Sequence, residues 1–200
     1  VERMKKEYGE KIACISIGQA GEMKMSAASI AFTDMELRPT RHAGRGGVGA
    51  VMGSKGVKVI VVSEVGTERR TPKNPDKFRE ANKVFAAGLK KHPVTGEGLP
   101  AYGTNVLTNV INEAGAYPTK NFMWGRFDTC QKISGETQAQ LETSRGSSAT
   151  HGCHRGCVIQ CSGTFVDKDG HYVTKQVEYE TVWALGGNCC IDDLDVIAQL

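Results

Sequence analysis

The chain has 200 residues, 40% hydrophobic and 24% charged, ordinary proportions that exclude a disordered or fibrous class and suffice for a core without disulfide staples. Its 25 basic and 22 acidic side chains leave a formal charge of +3 scattered along the sequence, which calls for neither nucleic acid nor an anionic membrane as a partner. No apolar run approaches the roughly 18 to 20 residues of a membrane span and no signal pattern opens the chain, so the reading is a cytoplasmic protein.

In chain order, VERMKKEYGEKIACISIG reads as a helix feeding a strand. Ile12 to Ile17 and Val57 to Val62 are β-branched runs of strand character with a glycine-rich segment between them. The polar connector from Gly66 to Pro75 marks a boundary, giving a first part over 1–65 and a second over 66–200. Beyond it Phe78, Ala81, Val84, Phe85 and Leu89 share one face of a helix running to Lys91, with Asp76 as its cap. Val106 to Ala114 and Thr137 to Arg145 are further helices. Thr164 to Val177 reads as a hairpin turning at Asp167 to Gly170, and a last helix starts near Asp192, capped by Asp192 or Asp193. Leu194, Ile197 and Ala198 still keep helical spacing near Leu200, and the chain opens on Val1, so both ends read as cut. The fold class is α+β, a mixed α/β N-terminal part followed by a mostly helical part with a short β-hairpin.

Three segments carry chemistry. The first places glycines at 44, 46, 47, 49, 53 and 56 beside Arg45 and Lys55. Such density lets several backbone N–H groups approach an anion, and it also permits a tight turn and close packing. Gly44, Gly46 and Gly49 satisfy a dinucleotide-binding spacing, but the residues before them make a poor buried strand and the following helix is too short. A Walker loop is excluded because Ser54 precedes Lys55.

The second segment is a cluster, Cys153, Cys157 and Cys161, within seven cysteines in a chain too long for a disulfide scaffold. Gly152, Gly156 and Gly163 favour a loop in which the sulfurs converge on a metal. Three thiolates leave a four-sulfur cluster one ligand short; the alternative metal is zinc, with His151 or His154 completing a Cys₃His set. Cys189 and Cys190 read as packing. The third segment is Glu178-Tyr179-Glu180. On an extended stretch its two carboxylates face one side, where mutual repulsion and burial raise one of them toward neutrality for acid–base work.

The string AGRGGVGAVMGSKGVKVIVV from Ala43 to Val62 resembles the pterin-cofactor segment of the aldehyde ferredoxin oxidoreductase family. Tyr102-Gly103-Thr104, Asn109 to Ala116, Pro118 to Phe122 and Glu178 to Gly186 are similar to further blocks of that family, and the likeness runs from about Ile15 to the last residue. The resemblance implies a C-terminal part of a pterin-binding first domain over 1–65 and the start of a mostly helical second domain over 66–200. It implies a tungsten- or molybdenum-bis-pterin held by Arg45, Gly46, Gly47, Gly49 and Lys55, with Glu178 and Tyr179 supporting Glu180 as the catalytic acid–base. Cys153, Cys157 and Cys161 would ligate a 4Fe-4S cluster, the fourth cysteine coming from a downstream stretch. The family's better-known members have one residue fewer between the first two cysteines, and Val177 stands where they have proline. The implied reaction is oxidation of an aldehyde to a carboxylic acid, electrons passing through the cluster to ferredoxin or a similar acceptor. Partners would be the remaining domains of the full-length protein, with a homodimer compatible, and the present stretch inactive alone. A relative that reduces an acid or aromatic thioester, and a zinc-bearing structural or interaction module, are the alternatives.

Overall fold

The computed structural model describes residues 1–68, 70–148 and 150–200, which divide into two compact units, Val1–Lys73 and Asn74–Leu200. The first unit runs α1 (Glu2–Tyr8), β1 (Ile12–Ser16), α2 (Gln19–Glu22), β2 (Ile30–Phe32), β3 (Arg41–Ala43), α3 (Val48–Ser54) and β4 (Val59–Ser63). The strands form one antiparallel sheet in the order β3-β2-β1-β4. Strand periodicity decides what is buried: Ile12 and Cys14 point inward and Ala13 outward, and Ile17, Ala28 and Met52 complete this small core.

Helices α2 and α3 meet backbone to backbone. A Cβ on Gly53 would stand 1.9 Å from the Gly21 carbonyl oxygen, and one on Gly49 would stand 2.4 Å from that of Ser29. Between β2 and β3 the buried Asp34 carboxylate accepts the amides of Glu36 and Arg38, the Thr40 hydroxyl and the Arg38 guanidinium. Those bonds organise the loop that delivers β3 to the glycine-rich segment.

The second unit opens with α4 (Pro75–Lys91), then a π-helical turn over Val94–Gly98, α5 (Leu99–Tyr102), a 3-10 turn over Gly103–Val106 and α6 (Leu107–Glu113). After a 3-10 turn at Cys130–Ile133 come α7 (Gly135–Ser144), the hairpin β5 (Thr164–Val166) and β6 (Tyr172–Lys175), and α8 (Tyr179–Thr181). A π-helical turn (Val182–Gly186), a 3-10 turn (Gly187–Cys189) and α9 (Leu194–Gln199) follow. The cap of α4 is Asn74 rather than Asp76: its side chain accepts the Lys77 amide at 3.0 Å, because Pro75 is preset for the first helical position. Ser134 caps α7 and Asp193 caps α9 in the same way. Helix α4 buries none of its residues, and Phe78, Val84 and Phe85 on its apolar stripe are exposed.

The core of this unit gathers Tyr117, Ile133, Phe165, Val177, Val182, Leu194 and Ile197. Beside it runs a buried polar network. The Asn105 side-chain amide donates to the Ile133 carbonyl and to Gln138 Oε1, at 2.9 and 2.8 Å. Gln138 Nε2 donates to Glu142 Oε1 at 3.1 Å, and Gln176 Nε2 donates to Glu142 Oε2 at 2.9 Å. Among the described residues, no helix is long and apolar enough to cross a membrane.

Candidate metal and cofactor site

In the first unit β3 leads into a turn where Gly46 and Gly47 take successive left-handed conformations, φ 81° and 65°. Among the described residues, the amides of Arg45, Gly46, Gly47 and Val48 donate to no protein acceptor. Consecutive free N–H groups on such a turn form a concavity suited to an anion. A Cβ on Gly46 would meet nothing within 4 Å, so space is open there, and the exposed Arg45 adds a positive charge. Gly49 does different work: it is buried, its amide donates to the Ala28 carbonyl at 2.9 Å, and its missing Cβ admits the backbone of Ala28 and Ser29. Lys55 sits just past the far end of the seven-residue α3, roughly 10 Å along the helix axis from the turn. The structure therefore brings Arg45, Gly46 and Gly47 together and leaves Gly49 in the packing and Lys55 at the opposite helix end.

In the second unit residues 151–163 form no helix, so the cysteines lie on a loop. Bridges from His151 to Cys161 and Ser162 close its base, the Ser162 amide donating to the His151 carbonyl at 3.2 Å. At its tip the Cys157 amide donates to the His154 carbonyl at 3.2 Å, a turn that Gly156 completes at φ 81°. The ligand atoms of Cys153, His154 and Cys157 all lie within 4.8 Å of one another. Cys161 is not in that set; it is half-buried, and burial followed by the Glu178 charge pushes its thiol up. The amide of Gln160 donates to Cys157 Sγ at 3.4 Å, and this bond chiefly draws the Cys157 thiol below the ordinary range. Cys189 at the end of the 3-10 turn and Cys190 just past it are exposed rather than packed, Cys14 and Cys130 are buried, and none of these joins the set.

The expectation that Glu178 and Glu180 share a face does not hold, because the chain turns helical at Tyr179. Glu178 is the extended N-cap residue of α8, and Glu180 lies inside the helix and is exposed. At 3.6 residues per turn, positions two apart point about 200° away from each other. Thr104 fixes this geometry. Its hydroxyl donates to Glu178 Oε2 at 2.7 Å and accepts the Tyr179 amide at 2.9 Å, while Lys175 pairs with the other Glu178 oxygen. Tyr179 packs edge-on against Tyr117 at 6.2 Å, and burial, then the Glu180 charge, pushes its hydroxyl up. Thr104 stood in plain view in the Tyr102-Gly103-Thr104 block; only its partners, 74 and 75 residues away, reveal its role.

Glu142 is the second residue that pattern reading passed over. It is 1% exposed and its carboxyl is pushed up to about 7, burial outweighing the two amides that donate to it. Its spacing on α7 gives no sign of this, since a glutamate in a polar helix normally faces solvent.

Comparison with known proteins follows the same residues. The chain is 42% identical over 198 residues to the tungsten-containing aldehyde ferredoxin oxidoreductase of Pyrococcus abyssi (strain GE5 / Orsay), covering 98% of this chain and 30% of that protein. It is 41% identical over 197 residues to the protein of that name from Thermococcus kodakarensis (strain ATCC BAA-918 / JCM 12380 / KOD1), again 98% of this chain and 30% of the relative. The chain thus spans less than a third of the length of these relatives. Among solved structures it superposes on the active site complex BamBC of benzoyl coenzyme A reductase in complex with 1,5 dienoyl-CoA. That match has a TM-score of 0.64 at 22% identity over 98% of this chain and 29% of that one, a likeness of fold. Residues 1–64 match the family profile of the aldehyde ferredoxin oxidoreductase N-terminal domain and residues 80–200 that of its domains 2 and 3, so the chain belongs to the aldehyde ferredoxin oxidoreductase family.

Proposed function

We propose that this chain carries part of the machinery by which a complete enzyme oxidises an aldehyde to a carboxylic acid and hands the electrons to ferredoxin or a similar acceptor. The supporting observation is the extent of the likeness: 42% identity to a tungsten-containing aldehyde ferredoxin oxidoreductase over 98% of the chain, with the glycine turn, the cysteine loop and the Glu178–Thr181 turn all inside it. The residues present fit the implied groups. Free amides at Arg45, Gly46, Gly47 and Val48 suit a pterin phosphate or ring oxygen, and Cys153, Cys157 and Cys161 share one loop as thiolate donors. When bound, a tungsten- or molybdenum-pterin supplies two-electron oxidation with oxygen from water, and a 4Fe-4S cluster supplies single-electron transfer.

The protein's own part is holding and proton handling. Arg45 and the Gly46–Gly47 backbone grip the cofactor's anionic edge. Thr104 and Lys175 anchor Glu178, which fixes where α8 begins and so where Glu180 points. Glu180 is exposed on that first turn, and its carboxylate takes up the proton released as water's oxygen joins the substrate carbon. Reduction of an acid or aromatic thioester is the second reading, and what favours it is the fold likeness to a benzoyl coenzyme A reductase complex at 22% identity. In the complete enzyme Glu180→Gln should lower aldehyde turnover by roughly 10²- to 10⁴-fold with metal content unchanged. Unaltered turnover would remove Glu180 from the reaction, and thioester reduction without aldehyde oxidation would favour the second reading.

A further inference from the structure

Strand β4 is an edge of the first unit's sheet, hydrogen-bonded to β1 on one side and, among the described residues, to no strand on the other. The Ile17 amide donates to the Lys58 carbonyl at 3.1 Å, in continuation of the β1–β4 register. In an antiparallel ladder such bonded pairs recur at every second residue, so Lys58, Ile60 and Val62 turn their backbone groups toward β1. The Thr33 amide donates to the Cys14 carbonyl at 3.0 Å, which agrees: Cys14, opposite Val61, turns to β2 and leaves Val61 unbonded on that side. The N–H and C=O groups of Val59, Val61 and Ser63 therefore face away from the sheet, and among the described residues they have no hydrogen-bond partner.

Proteins commonly blunt such an edge with a proline, a bulge or a lysine inside the strand. Strand β4 has none of these: it reads Val59-Ile60-Val61-Val62-Ser63, in unbroken register with β1. Its side chains alternate, Val59 and Val61 half-buried, Lys58, Ile60, Val62 and Glu64 exposed. The exposed face thus runs cation, apolar, apolar, anion, a pattern that is its own complement when reversed.

An antiparallel pair of β4 strands about a twofold axis at Val61 sets Val59 opposite Ser63, Ile60 opposite Val62 and Lys58 opposite Glu64 of the second copy. The outward backbone groups of Val59, Val61 and Ser63 then meet outward groups and bond. The charged and apolar side chains fall in the intervening pairs, where side chains approach most closely. Moving the axis to Ile60 sets Lys58 against Val62, and moving it to Val62 sets Glu64 against Ile60. An axis between residues brings outward groups against inward ones, which are already bonded to β1. Val61 is the centre that satisfies backbone and side chains together. Lys58 also lies 2.9 Å from Glu22 of its own copy, an exposed pair, and an ammonium with three hydrogens can serve both carboxylates.

We propose that β4 is the docking edge for a second copy of this chain, paired antiparallel and isologously about Val61 so that the two sheets become continuous. The pairing is independent of the cofactors and of the reaction proposed above.

Sedimentation equilibrium of the full chain across the micromolar range should show a dimer. Lys58→Glu makes both ends of the exposed face acidic and Glu64→Lys makes both basic, so either variant alone repels its own copy and should associate about tenfold or more weakly. Mixed in equal amounts the two should recover a heterodimer, since each acidic end then meets a basic one, and a chain carrying both substitutions should dimerise like the parent. Hydrogen exchange gives the strand geometry: the Val59, Val61 and Ser63 amides should exchange slowly in the parent and in the mixture, and fast in either variant alone. Circular dichroism confirms that the variants fold. A parent chain that stays monomeric leaves the edge to some other strand and overturns the proposal. Single variants that dimerise like the parent, a mixture of folded variants that stays monomeric, or a dimer whose Val59, Val61 and Ser63 amides exchange freely overturns it equally.

Discussion

Glu142 shows how one residue couples burial to pH. Between its ordinary value of 4.5 and its folded value of about 7, the folded chain holds a proton that the unfolded chain has released. Stability therefore falls as pH rises through that window and levels off above it, the total change amounting to about 3 kcal/mol. Glu142→Gln should remove this slope and raise stability above pH 7, with Gln176 turned so that its buried, unpartnered Oε1 accepts the new amide. Urea midpoints measured from pH 4.5 to 8 check it; a variant with the parent's slope would assign the dependence elsewhere. The same scale separates what could be read in advance from what could not. That Cys153, Cys157 and Cys161 lie on one loop and Gly46 and Gly47 in one turn followed from glycine placement and density. The divergence of Glu178 and Glu180 was hidden, because it is set by a threonine far away in the chain that decides where a helix starts.

At the scale of elements, caps and glycines govern the outcome. The periodicity of α4, the hairpin turn at Asp167–Gly170 and the start of α9 followed from local pattern, since each depends on neighbours within a few positions. The cap of α4 was misplaced by two residues because a proline shifted the first helical position to Pro75. The crossing of α2 on α3 was illegible, because nothing in the sequence distinguishes a glycine admitting a ligand from one admitting another backbone. Gly53 belongs to the second kind. Gly53→Ala gains about 1 kcal/mol of helix propensity, yet its Cβ meets the Gly21 carbonyl, a backbone atom that yields only if α2 moves. Overpacking of this sort costs typically 1–3 kcal/mol, so a lower melting temperature is expected, whereas Gly44→Ala, with nothing within 4 Å, should be near neutral. Equal melting temperatures for the two variants would refute the close crossing.

At the scale of the molecule, the chain matches 30% of its relatives' length and leaves apolar surface uncovered in each unit: Ile60 and Val62 on the sheet, Phe78, Val84 and Phe85 on α4. Exposed apolar side chains that share one strand face or one helix stripe suit a contact surface. The chain on its own should bind a hydrophobic dye such as ANS and retain neither pterin-bound tungsten nor a 4Fe-4S cluster after anaerobic reconstitution. Metal analysis showing near-stoichiometric tungsten or molybdenum would reverse that expectation. The interior carries a different constraint. Asn105, Gln138, Glu142 and Gln176 are joined by directional bonds: Asn105 donates to Gln138, and Gln138 and Gln176 each donate to one oxygen of Glu142. Replacing one member by an apolar side chain strands its neighbour in a dry interior, so loss of polarity at these four positions should be concerted. Across divergent relatives they are expected to vary as a linked quartet, or to give way together to hydrocarbon.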